Sequence, residues 1–229
     1  KTIFTDRLID TAIGSLIAFI ANFLIVPAWE KEKIKDYMLA ALEKNTAYFK
    51  DVAAAFSGKP VIIAGYKKSR QDAFVALANL SDAFTRMLSE PKFRQYNSEQ
   101  IHRFVVLNHT LTSHIATLSH YVLTHASKQA SEDFSSIINA DTAKLQSASD
   151  ILKGGEPESK INEAVDTHKI NERLNELLSK RKNELNEKIF DTATRQSLGE
   201  LKPVVDQFNL ISSIAVDLNK ISAELKVLP

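Results

Sequence analysis

The sequence of 229 residues contains no cysteine, only six glycines and only six prolines. Without cysteine the chain has no disulfides, no thiolate metal ligands and no thiol nucleophile. A protein built of many short strands and tight turns would need more glycine and proline than this, so the composition argues against such a fold. Because helix-forming residues such as alanine, leucine, lysine and glutamate are abundant, the composition predicts an all-α chain.

The sequence also lacks an excess of charge of either sign, since 29 lysines and arginines stand against 28 aspartates and glutamates. No strong field therefore attracts nucleic acid, and we expect no nucleic-acid partner. The GxSxG, P-loop, HExxH and dinucleotide-binding motifs are all missing from the sequence. An enzyme would need a site assembled from scattered carboxylates and histidines. We expect neither enzymatic activity nor a cofactor.

A long apolar segment, RLIDTAIGSLIAFIANFLIVPAWEK, occupies residues 7–31 and has one charged residue, Asp10, between Leu8 and Trp29. As a helix, residues 8–29 would rise about 33 Å, which is close to the roughly 30 Å hydrocarbon thickness of a bilayer. The segment has no small-residue cleavage site, which argues against a secretion signal. The pattern favours a transmembrane helix over residues 1–29, and a buried helix of a soluble core is the alternative.

Small and polar residues follow one face of this predicted helix, at positions Thr11, Ser15, Ala18 and Asn22. Small-residue faces let membrane helices approach closely, and polar groups at membrane depth usually point into a bundle or a water-filled path. A lone anchor would not need such a face. We therefore expect the chain to be a fragment whose partners are the lipid bilayer and the remaining transmembrane helices of a larger parent protein.

Arg7 and Asp10 lie three residues apart at the mouth of this predicted span, where a helix places them on the same side. Ionisable residues at membrane depth are candidates for function, so Arg7, Asp10, Thr11 and Asn22 form a candidate substrate or ion path. The alternative is that Arg7 and Asp10 form an ordinary structural ion pair or helix end cap, and an exposed ion pair contributes little.

Beyond Pro27, apolar residues at helical spacing predict a bundle of about five to six long amphipathic helices. The predicted helices cover residues 28–56, 66–89, 98–126, 131–153, 160–190 and 203–226. We predict a C-terminal cytoplasmic helical-bundle domain over residues 30–229. The sequence Gly154-Gly155-Glu156-Pro157 suggests an internal break near residues 154–159.

Five of the six histidines fall within the predicted helix 98–126, at positions 102, 109, 114, 120 and 125. Metal ligands on a helix are usually three or four residues apart, whereas these spacings are 7, 5, 6 and 5. Polar positions beside a bundle seam explain these histidines better than a metal site does.

Three segments resemble the last membrane helix and the start of the C-terminal domain of FUSC-like (fusaric acid resistance, YccS/YhfK-type) bacterial inner membrane proteins. They are RLIDTAIGSLIAF, VPAWE and SRQDAFVALANLSDAFTRMLSEP. The matching features lie in the first ninety residues or so: Arg7, Asp10-Thr11, Gly14, Pro27, Trp29, Arg70, the Ala-Leu-Ala-Asn run at 76–79 and Glu90-Pro91. The resemblance implies a multi-helix membrane protein that exports aromatic or other weak organic acids.

Our functional prediction is a C-terminal fragment of an inner-membrane efflux-type transporter, with the residues after about 30 in the cytoplasm serving regulation or assembly. The alternative is a helical self-association or protein-interaction module without transport activity. In that alternative the seams at residues 101–122 and 208–225 provide the contacts of a homo-oligomer.

Overall fold

The computed structural model describes residues 2–24, 30–58, 63–90, 92, 95, 97–129, 133–156 and 168–227. Within these ranges all regular structure is helical, which confirms the predicted all-α fold. The α-helices are α1 (Thr2–Leu24), α2 (Glu30–Ala53), α3 (Ile63–Ser89), α4 (Ser98–Gln129), α5 (Phe134–Leu152), α6 (His168–Asn186) and α7 (Ala193–Val227). A 3₁₀ turn at Ala54–Ser57 extends α2.

Helices α2 to α7 share one hydrophobic core, whose centre is aromatic. The Phe208 ring of α7 lies 6.3 Å from the ring of Phe49, 5.5 Å from that of Phe56 and 5.2 Å from that of Phe134. All four side chains are almost completely buried. Because each aromatic side chain removes about 150–250 Å² from water, this cluster joins α2, α5 and α7 strongly.

The packing places α2 against α3, α4 and α5, and α7 against α4, α5 and α6. The predicted seam of α4 is buried at Ile101, Phe104, Asn108, Leu111, Ile115 and Leu118. The predicted seam of α7 is buried at Phe208, Ile211, Ala215, Leu218 and Ser222. Both seams face the core of the chain's own bundle, so they do not supply the exposed contacts expected for self-association.

The Gly-rich stretch after α5 forms a turn within the bundle. Gly154 has a φ of 104°, a conformation that glycine adopts without the steric cost of a Cβ atom. The ammonium of Lys226 in α7 donates a hydrogen bond to the Gly155 carbonyl at 2.7 Å. Core side chains come from both sides of this turn. Residues 157–159 of the predicted break lie outside the described residues.

Helix α7 begins at Ala193, ten residues before the predicted start, and contains Pro203 in its interior. A proline was expected to open the helix because it has no N–H to donate. In the structure the lost hydrogen bond is the one that residue 203 would donate to the Gly199 carbonyl. Burial of Leu201, Val204 and Val205 outweighs that loss. The predicted start of α6 at residue 160 lies outside the described residues.

Helix α1 has exposed side chains at every position from residue 3 to residue 21. Among the residues that the structure describes, no helix combines the length and the apolar character needed to cross a membrane. The predicted transmembrane span is therefore not found there. Asp6, Arg7 and Asp10 all lie in the first half of α1, and residues 25–29 of the predicted span lie outside the described residues.

Candidate functional site

The candidate path residues Arg7, Asp10 and Thr11 all lie on the exposed helix α1. The Thr11 hydroxyl donates a hydrogen bond to the Arg7 carbonyl at 2.8 Å, and the Ser15 hydroxyl donates one to the Ala12 carbonyl at 3.0 Å. These bonds satisfy the hydroxyl donors without water. Both side chains can therefore lie against an apolar surrounding. The side chain of the fourth candidate, Asn22, lies outside the described residues.

The charged side chains of Arg7 and Asp10 are exposed on the surface of α1. Within the described part of α1, no ion pair joins these two side chains within 4.0 Å. No described residue of α2 to α7 covers either of them, since both are exposed. The structure thus brings Arg7, Asp10 and Thr11 onto one helix but does not enclose them in a cavity.

The remaining surface of α1 is strongly apolar. Nine large apolar side chains between residues 3 and 20 are 44–74% exposed: Ile3, Phe4, Leu8, Ile9, Ile13, Leu16, Ile17, Phe19 and Ile20. Together they present on the order of 1,000 Å² of surface, more than the few hundred Å² typical of patches on soluble monomers. Surface of this kind is usually covered by lipid or by another protein.

The bundle contains a buried polar cluster that joins α2 to α4. The Asn45 side-chain amide donates to the Asn108 side-chain oxygen at 3.2 Å, and the Thr112 hydroxyl donates to the Asn45 side-chain oxygen at 2.8 Å. Exposure is at most 2% for all three residues. Because each buried polar group would be costly without a partner, this cluster fixes the register of α2 against α4.

A second buried cluster contains two tyrosines and a serine. The hydroxyls of Tyr48 and Tyr66 lie 3.4 and 3.1 Å from the Ser119 hydroxyl, which itself donates to the Ala116 carbonyl at 2.7 Å. Burial raises the pKa of Tyr48 to about 12. Tyr48 therefore remains a neutral hydrogen-bonding group at ordinary pH, which suits a structural role.

The third cluster is ionisable and lies between α5 and α7. Asp141 is fully buried, accepts hydrogen bonds from the Ser212 hydroxyl at 2.7 and 2.6 Å, and lies 3.9 Å from the Lys144 ammonium. Burial raises the pKa of Asp141 to about 6, although Ser212 and Lys144 both oppose the shift. This residue was not among those predicted from the sequence. Its spacing could have indicated burial, because a residue three positions after Ile138 and four before Leu145 lies on the apolar face of the helix.

The described histidines of α4 have separate partners. The His109 Nε2 atom lies 2.7 Å from the Ser81 hydroxyl, the His114 Nδ1 atom lies 2.8 Å from the Gln207 side-chain oxygen, and the His102 ring stacks on Phe84. His125 has a side chain outside the described residues. In the described ranges, no group of three or more histidines, aspartates or glutamates is arranged to hold a metal ion.

Two open clefts flank α2. One of about 420 Å³ lies between α2 and α5, beside the 2.8 Å ion pair of Lys153 with Glu43. The other, of about 450 Å³, lies between α2 and α3, beside the 3.3 Å ion pair of Lys44 with Asp72. Charges of both signs line each cleft, so neither has the polarity of a specific anion or cation site.

Comparison with known proteins links the chain to a membrane protein. The inner membrane protein YccS of Escherichia coli strain K12 is 34% identical to it over 113 residues, which are 49% of this chain and 16% of YccS. The chain resembles the FUSC-like inner membrane proteins. This match confirms the resemblance that the sequence motifs indicated. The similarity covers only about a sixth of the length of YccS. No family model and no solved structure matches the chain.

Proposed function

We propose that this chain is the C-terminal part of a FUSC-type efflux protein of the bacterial inner membrane, which exports aromatic or other weak organic acids. The observation that supports this best is the 34% identity with a protein named as an inner membrane protein. The exposed apolar surface of α1 is consistent with it, because such a surface needs lipid or other helices to cover it. The partners would be the bilayer and the other membrane helices of the parent protein.

Within that function, the bundle of α2 to α7 serves regulation or assembly on the cytoplasmic side. Its polar clusters are buried and internally hydrogen-bonded, which suits a rigid domain better than a catalytic one. We propose no enzymatic activity for the chain. Formation of a homo-oligomer stays a prediction, and any interface would use surfaces other than the two buried seams.

The candidate path consists of Arg7, Asp10, Thr11 and Asn22. The Arg7 guanidinium could attract the carboxylate of an organic acid, and the nearby Asp10 carboxylate would favour its release by competing with it for Arg7. Thr11 already uses its hydroxyl donor on the Arg7 carbonyl, so its oxygen is left as an acceptor. In the parent protein, the other membrane helices would complete the path.

The test is growth of cells in which the intact parent protein carries Asp10→Ala. We expect reduced resistance to an aromatic acid that the parent exports, with an unchanged amount of protein in the membrane. Asp82→Ala is the matched control, because Asp82 is an exposed aspartate on α3 of the bundle. Full resistance in the Asp10→Ala strain would remove this carboxylate from the transport path.

A further inference from the structure

The connection between α6 and α7 is held in one conformation by Arg181. Its guanidinium donates hydrogen bonds to the backbone carbonyls of Ile189 and Phe190 at 3.3 and 3.1 Å. It also contacts the Glu184 carboxylate at 3.1 Å, and the Thr192 hydroxyl donates to the same carboxylate at 2.6 Å. A short turn with this many hydrogen bonds is organised before any partner arrives.

The same turn leaves its apolar side chains uncovered. Phe190 is 63% exposed and Ile189 is 46% exposed, although their carbonyls are fixed by Arg181. Leu185 and Leu178 lie seven residues apart on α6 and are 46% and 40% exposed. We call these four residues the hairpin tip. A rigid turn that exposes its two largest apolar side chains is more typical of a contact surface than of a solvated loop.

Besides Arg181, two exposed lysines lie close to the hairpin tip in the sequence. Lys182 lies between Leu178 and Leu185 on the same helix face, and Lys188 directly precedes Ile189. Glu187 follows the last residue of α6 and is exposed as well. Two lysines therefore border the apolar surface, with one exposed carboxylate between them in the sequence.

The other two acidic side chains of this region are already paired. The Glu184 carboxylate contacts Arg181 at 3.1 Å, and the Asp191 carboxylate contacts Arg195 at 3.7 Å. The hydrogen bond from Thr192 lowers the pKa of Glu184, which keeps this carboxylate charged and bound in the turn. Asp191 remains 99% exposed. A partner of the hairpin tip would therefore meet three cations, Lys182, Lys188 and Arg195, and two carboxylates, Glu187 and Asp191.

The size of the hairpin tip argues against a second copy of the chain as its partner. Four side chains with these exposures present about 400 Å² of surface, half of the roughly 800 Å² per partner of a stable protein interface. Pairing two copies of the tip would also bring their lysines together. An apolar tip bordered by lysines instead fits the anionic surface of a bilayer, where aromatic and aliphatic side chains enter the headgroup layer and lysines contact phosphate.

We propose that the hairpin tip docks the helical bundle onto an anionic phospholipid surface, with Ile189 and Phe190 inserted among the headgroups. This contact is separate from α1 and does not depend on the transport activity proposed above. It gives the bundle a second attachment to the membrane.

Because the sequence has no cysteine, single-cysteine labelling can test the proposal on the full chain. Phe190→Cys, Leu16→Cys and Asn209→Cys report on the hairpin tip, on α1 and on an exposed site of α7 that lies about 24 Å along that helix from its first residue, Ala193. Each variant carries a polarity-sensitive fluorophore and is mixed with vesicles of phosphatidylcholine, with or without phosphatidylglycerol. The Phe190→Cys measurement is repeated with Lys182→Glu and Lys188→Glu combined.

We expect the emission at position 190 to rise about twofold or more with vesicles containing phosphatidylglycerol, and to lose most of that rise with both lysines reversed. Position 209 should not respond. A response at position 16 without one at position 190 would overturn docking by the hairpin tip and leave membrane attachment through α1 intact. A response at position 190 that depends on protein concentration without vesicles would also overturn it, in favour of a second copy.

Discussion

Replacement of the buried carboxylate Asp141 by asparagine should change how the stability of the bundle depends on pH. Asp141 lies between α5 and α7, where it accepts hydrogen bonds from Ser212 and faces the Lys144 ammonium at 3.9 Å. Asp141→Asn has nearly the same shape and still offers an oxygen to Ser212, but it cannot ionise. The variant therefore isolates the titration of this one group.

The sign follows from the direction of the pKa shift. The pKa of Asp141 is raised from 3.8 to about 6, so between these values the folded protein holds a proton that the unfolded chain has lost. The contribution of Asp141 to the free energy of unfolding is therefore highest below about pH 4 and falls as the pH rises to about 6. A shift of about two pH units corresponds to about 3 kcal/mol. The difference in the free energy of unfolding, Asp141→Asn minus native, should thus increase by about 3 kcal/mol as the pH rises from 4 to 7.

Urea denaturation followed by circular dichroism, at several pH values for both proteins, measures this difference. Other carboxylates titrate equally in the two proteins and cancel when the free energies are subtracted. Ser212→Ala is a useful control, because it removes a hydrogen bond that lowers the pKa of Asp141 and should move the transition to higher pH. A difference between Asp141→Asn and the native protein that stays constant from pH 4 to pH 7 would show that Asp141 does not bind a proton more tightly in the folded state.

Two further substitutions test the packing of the bundle. Ser222 is fully buried and its hydroxyl has no hydrogen-bond partner among the residues that the structure describes, so Ser222→Ala should raise the free energy of unfolding by about 1 kcal/mol in urea denaturation. A decrease of the free energy of unfolding by a similar amount would instead indicate that the Ser222 hydroxyl is hydrogen-bonded to a water molecule. Asn108→Ala should lower it by about 2–3 kcal/mol, because the Asn45 amide loses its acceptor and a cavity forms. Asn108→Ala with native stability would show that Asn45 finds another partner.

Much of the bundle could be predicted from the sequence because its helices are long and regularly amphipathic. Ser98 marks the start of α4 as expected, and the apolar spacing identified the buried positions of α4 from Ile101 to Leu118. The start of α7 could not be predicted in this way, since Pro203 favours a helix start locally while buried neighbours extend the helix to Ala193. Tertiary burial outweighed the local preference there.

The chemically distinctive groups were harder to predict than the helices. Asp141 occurs on an apolar face, where the pattern alone does not distinguish a buried carboxyl from an edge position. The hydrogen bonds of Arg181 to the α6–α7 turn depend on backbone geometry that no residue pattern specifies. Arg7, Asp10 and Thr11 were placed on one helix by spacing alone, but the groups that would complete a path around them belong to elements outside α1.

The central claim is that α1 attaches the chain to the membrane, and alkaline carbonate extraction tests it most directly. Membranes from cells that express residues 1–229 are compared with membranes from cells that express residues 30–229. The account predicts that the longer chain stays in the pellet while most of the shorter chain is released, because an alkaline wash removes weak peripheral contacts such as those of the hairpin tip. Release of both chains would contradict the claim and favour a helical interaction protein without a membrane role.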